Sequence, residues 1–180
     1  MAKASETKSR QGLQNLTRRT VTRGTSKVSV RVIVNAADST NRTDFDYRRS
    51  ASGECWRMPV WYSSQCICDL GAPGKQLEFC QYKSCGICIP LTSAFTAFEF
   101  GQAVLRGNHG EGVYLTKDPT LADQFAISTT GSPFRVIILG SIILPSRPAR
   151  KPDWHISDNG DVFVKNPLSI TPDYLICYSK

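Results

Sequence analysis

The chain has 180 residues, 41% of them hydrophobic, which is enough to bury one sizeable core and fits one globular unit with a tail rather than two domains. Its formal charge of +7 gathers at the start: residues 1–30 carry Lys3, Lys8, Arg10, Arg18, Arg19, Arg23 and Lys27 against Glu6 alone, a local excess of +6 that leaves +1 for the rest. That split argues against a basic folded surface shaped for a duplex, because the charge would then sit on the domain itself.

Residues 1–27 are polar, rich in Ser, Thr and Arg, and lack an apolar run that could start a core; the expectation is a disordered basic tail. Such a tail leaves an organelle or nuclear address open and makes nucleic acid a candidate partner. Residues 28–35, VSVRVIVN, alternate β-branched side chains as a strand does, and 36–53 form a polar link, so 28–53 is a strand and linker whose placement the sequence leaves open. A second strand is expected over 56–62 and a helix over 91–106, with Thr92 as cap and Gly107 as stop. A short strand at 112–116 and a short helix at 118–125, with Pro119 in its first turn, follow.

Residues 134–144, FRVIILGSIIL, are the most apolar stretch and predict a central strand, with Gly140 marking a bulge or close approach. The longest apolar run, 136–145, is interrupted by Gly140 and too short to cross a bilayer, and no secretory segment is evident. The expectation is therefore a soluble intracellular protein, nuclear or cytoplasmic, with no membrane partner. A DNG turn within 154–164 predicts a hairpin, and 174–178 a last strand. Many short strands with few helices make an α+β domain dominated by antiparallel pairing.

Two segments then carry a resemblance. GEGVYLTKDPTLADQF, residues 110–125, resembles the poly(ADP-ribose) polymerase (PARP) pattern of Gly-x-Gly, an aliphatic and a Tyr, with an aromatic eleven residues beyond; ITPDYLICY, residues 170–178, resembles that family's final strand. The resemblance covers 54–180 and implies a PARP-like ADP-ribosyltransferase fold, a mostly antiparallel split sheet. It places Tyr62-Ser63-Ser64 where the family has His-Gly-Ser/Thr, and Cys68, Leu70 and Gly71 keep the spacing of cysteine-bearing members. Tyr62 thus stands for the histidine, Ser63 for the glycine and Asp173 for the usual glutamate.

In this family NAD is cleaved at the nicotinamide–ribose bond through an oxocarbenium-like transition state that a carboxylate stabilises. The resemblance assigns that task to Asp173, nicotinamide stacking to Tyr114 and Phe125, and the NAD cleft wall to Tyr62 and Ser63. Each has a plainer reading: Asp173 as a turn acid after Pro172, Tyr114 and Phe125 as core aromatics. His109 and His155, the two histidines, are expected to be loop or surface residues without a chemical role.

Seven cysteines, an odd number without a secretory segment, speak against a disulfide framework, and five of them fall between Cys66 and Cys88. Cys80-x4-Cys85-x2-Cys88 offers three thiolates that Cys68 or Cys66 would complete into a structural zinc site; the plainer alternative is a set of buried free thiols. The leading expectation is an NAD-dependent mono-ADP-ribosyltransferase acting on a protein or nucleic-acid acceptor, with NAD as co-substrate and Cys68, Cys80, Cys85 and Cys88 as zinc ligands. A catalytically inactive PARP-like module that binds NAD, ADP-ribose or a protein is the second, favoured by three substitutions at once in the active-site pattern. A zinc-assisted nucleic-acid binder is the third.

Overall fold

A computed structural model describes residues 20–23, 26–35, 55–72, 78–129, 134–146 and 152–179. Eleven strands form in chain order: β1 (Thr20–Arg23), β2 (Ser26–Asn35), β3 (Cys55–Tyr62), β4 (Gln65–Cys66), β5 (Leu105–Gly107), β6 (Gly110–Thr116), β7 (Ile127–Ser128), β8 (Arg135–Pro145), β9 (Trp154–Ile156), β10 (Asp161–Val164) and β11 (Ile170–Ser179). Two short helices, α1 (Cys88–Thr92) and α2 (Pro119–Phe125), complete the regular structure beside brief 3-10 turns.

Nine strands make one sheet in the order β1-β2-β11-β8-β3-β6-β10-β9, with β5 on β6, and every pairing in it is antiparallel. The sheet is split. One register pair, Trp61 with Thr116, joins β3 to β6, whereas β3 and β8 share eight. The apolar β8 is central, as its composition predicts, because only a strand covered on both faces can carry so many Ile and Val side chains.

Met58, Val60 and Tyr62 point with Ile138, Ile142, Leu144 and Leu175 into the main core, roofed by Ile87, Leu91, Phe95 and Phe98. The opposite face carries Arg57, Trp61, Ile137, Ser141 and Tyr178, since side chains alternate along a strand and directly paired residues share a face. Helix α2 covers part of that second face through Ala122 and Ala126, packed on Ile137 and Tyr178. Asp118 caps it, accepting the Thr120 N–H at 2.8 Å ahead of Pro119.

Three expectations change. The helix predicted over 91–106 is one turn ending at Thr92, whose hydroxyl donates back to the Cys88 carbonyl at 2.7 Å. Ala94 and Phe95 take left-handed φ of 49° and 64°, and Ser93 Oγ accepts the Ala97 N–H at 3.0 Å, so Phe95 and Phe98 reach the core from an irregular turn. The supposed stop, Gly107, ends β5. Residues 20–23 and 26–27, expected within the tail, are strand, and β2 joins the main sheet by pairing with β11. Residues 1–19 and 36–54 lie outside the described residues.

Gly140 sits where β11 bulges between Pro172 and Tyr174. A Cβ there would stand 2.7 Å from the Thr171 carbonyl oxygen, so the two backbones meet only because the side chain is missing. The bulge residue is Asp173.

Candidate functional site

A β-bulge re-aims the side chain it carries. Here it turns Asp173 onto the face of Ser141 and Arg57, away from Leu175 and the main core. Arg57 Nη2 donates to both carboxylate oxygens, at 2.9 and 3.1 Å, and Ser141 Oγ donates to Oδ2. The Asp173 side chain is 14% exposed and that of Arg57 39%. Both oxygens are thus occupied, one by two donors, and a guanidinium balances the charge.

Tyr62 lies on the other face. It is buried, its ring edge-on to Phe95 at 5.4 Å and tilted against Phe98 at 6.3 Å. Burial, with Glu99 adding, holds its phenol far above the usual tyrosine range, the signature of a core group. Ser63 turns its hydroxyl to the Val136 carbonyl at 2.7 Å. Asp173 and Tyr62, expected to line one cleft, are therefore separated by the sheet.

Tyr114 does share a face with Asp173, through the pairs Thr116–Trp61 and Trp61–Leu139. Three inter-strand steps separate β6 from β11, about 14 Å at the usual spacing. The Tyr114 hydroxyl donates to the Gly110 carbonyl at 2.8 Å and accepts the His109 N–H at 3.0 Å. Its ring packs so closely over Gly107 that a Cβ there would fall 2.5 Å from it. Tyr114 lines an open cleft of about 710 Å³ with the 102–106 segment and Glu111. Phe125 ends α2, 59% exposed; the ring against Tyr114 is that of Phe163 on β10, at 5.2 Å.

The thiols converge as their spacing predicts. The Sγ atoms of Cys68, Cys80, Cys85 and Cys88 all lie within 4.8 Å of one another, with Cys68 at 3.6 Å from Cys88 and 4.0 Å from Cys85. A tetrahedral ion with metal–sulfur bonds of about 2.3 Å has edges of about 3.8 Å, so the set fits a four-thiolate metal site. The Cys88 N–H, at the far end of the knuckle, donates to Cys85 Sγ at 3.5 Å and orients that ligand. Hydrogen bonding within the group pulls the Cys68 and Cys85 thiols down, from Cys66 first, and pushes Cys66 and Cys88 up, from Cys68 first, so the thiols share protons as one coupled set.

Two features were invisible in the sequence. Arg57 and Ser141 as partners of Asp173 depend on long-range register. His109 and His155 are both exposed, as expected, but their rings stack at 4.2 Å across the β5–β6 and β9 segments. The buried Cys66, the sequence's alternative fourth thiol, packs 3.8 Å from Cys68 but outside the mutually close set of four.

No protein-family model matches this chain, and no curated protein is similar to it in sequence. Among solved structures it is similar to the PARP domain of Arabidopsis RADICAL-INDUCED CELL DEATH1, with a TM-score of 0.56 and 12% identity over 84% of this chain and 88% of that one. The class is therefore settled at the level of fold: an α+β chain with a PARP-like fold. No helix among the described residues is long and apolar enough to cross a membrane.

Proposed function

We propose that this chain is a PARP-fold binding module, which holds NAD or ADP-ribose in the cleft beside Tyr114 without cleaving the nicotinamide–ribose bond. The observation that carries the reading is the pairing of Asp173 with Arg57 and Ser141. Oxocarbenium stabilisation needs an anion aimed at the developing charge, and a carboxylate already balanced by a guanidinium offers little of it. Tyr62, buried against Phe95 and Phe98, is withdrawn from any such site. The cleft volume lies in the range of small-molecule sites, and Tyr114 supplies an aromatic face beside Arg106, which is paired with Glu111 at 2.8 Å.

The Cys68, Cys80, Cys85 and Cys88 group is proposed to hold zinc as a closed structural site. Four thiolates leave no open position for chemistry, and the ion would tie the segment after β3 to α1. Isothermal titration with ADP-ribose, alongside a Tyr114→Ala variant, tests the binding: heat of binding in the wild type that vanishes in the variant supports it, and no heat in either opposes it.

ADP-ribosyl transfer to a macromolecular acceptor is the second reading, favoured by the shared face of Asp173 and Tyr114. It requires Arg57 to leave the carboxylate when substrate arrives. Nicotinamide release from NAD that is lost in Asp173→Ala would select it.

A further inference from the structure

Five thiols converge beneath the sheet, one more than a tetrahedral ion uses. Cys66 is 2% exposed, its Sγ lies 3.8 Å from that of Cys68, and it reaches the Cys68 carbonyl oxygen at 3.5 Å. Its strand is held on both sides: the Gly86 N–H of the knuckle donates to the neighbouring Gln65 carbonyl at 3.0 Å, and the Thr129 N–H to the Cys66 carbonyl at 3.2 Å. Cys66 is thus a fixed neighbour of the ligand Cys68. Cys80, like Cys68, is half-buried, whereas Cys85 and Cys88 are fully buried.

Resting on the reading of this cluster as a zinc site, we propose that Cys66 is a reserve ligand that takes the fourth position when Cys80 leaves the metal. The two tetrads share Cys68, Cys85 and Cys88. When Cys80 is alkylated by a haloacetamide, its sulfur forms the new S–C bond and halide departs, leaving a thioether that binds zinc poorly. Cys66 then gives its proton to solvent and binds as thiolate, so four thiolates remain on the ion. A site built this way survives chemical loss of Cys80.

Cobalt(II) added to the full-length chain reports the number of bound thiolates by the intensity of thiolate-to-metal charge-transfer absorbance. Wild type, Cys66→Ser and Cys80→Ser are expected to show equal intensity, while Cys66→Ser combined with Cys80→Ser loses about a quarter of it and binds at least about tenfold more weakly. Cys80→Ser alone falling as far as the double variant would overturn the exchange. A wild type that takes up no cobalt would overturn the metal site and the exchange together. If Cys80→Ser does not fold, the zinc-loaded wild type is treated with iodoacetamide and weighed by native mass spectrometry. Chains alkylated at Cys80 should retain one zinc, and zinc lost in step with that alkylation would refute the proposal.

Discussion

Arg57 and Asp173 lie 116 residues apart and meet across β8, with Nη2 at 2.9 and 3.1 Å from the two carboxylate oxygens and Ser141 donating from the strand between them. The contact exists because the bulge in β11 sends Asp173 to the face that Arg57 and Ser141 occupy. It links three strands, and it takes up the one carboxylate that the PARP-like pattern assigns to chemistry.

The two ends of this contact should not be equivalent. Asp173→Ala leaves the Ser141 hydroxyl buried without its acceptor and is expected to cost about 1–3 kcal/mol. Arg57→Ala removes a partly exposed partner and should cost about 1 kcal/mol or less. Urea unfolding of both variants measures the difference, and a larger loss for Arg57→Ala would contradict the arrangement.

Gly140 allows β8 and β11 to close on the bulge. Gly140→Ala places a methyl 2.7 Å from the Thr171 carbonyl oxygen, where backbone has to move, and is expected to cost about 1–3 kcal/mol by urea unfolding. A neutral outcome would mean that the strands do not approach as described.

Tyr62 is a core residue whose burial raises its phenol pKa. The folded chain keeps this proton where the unfolded chain loses it, so the contribution to stability is complete below about pH 10 and is lost as pH climbs above that value. Tyr62→Phe should therefore flatten the alkaline fall in stability while leaving the stability at neutral pH within about 1 kcal/mol of the wild type. An unchanged alkaline slope would count against the burial of the hydroxyl.

Metal removal should destabilise the whole domain, because the thiol group joins the segment after β3 to α1 and abuts the main core. A strong chelator is expected to lower the thermal midpoint by many degrees, and Cys88→Ser to reproduce that loss. Protons compete for the thiolates, so zinc affinity should fall as pH is lowered. A chain indifferent to chelator would contradict a structural zinc.

What the sequence made legible was local. The strand at 28–35, the alternation in 56–62, the run of Ile and Val around Gly140, Asp118 before Pro119, the DNG turn and the cysteine spacing were each readable from nearby residues, and each appears in the structure. The same alternation in MPVWY already put Tyr62 on the face of Met58 and Val60, a sign of core that the family pattern outweighed. What was not legible required contacts made at a distance. Phe95 and Phe98 have near-helical spacing, yet left-handed Ala94 and Phe95 break the helix because the turn buries both rings against Tyr62. No local signal tells that a bulge will hand Asp173 to Arg57.

The most direct measurement is nicotinamide release from NAD by the purified full-length chain, with Asp173→Ala beside it. The account predicts no release above buffer from either protein; release by the wild type that disappears in Asp173→Ala would contradict it and identify a transferase or NAD hydrolase.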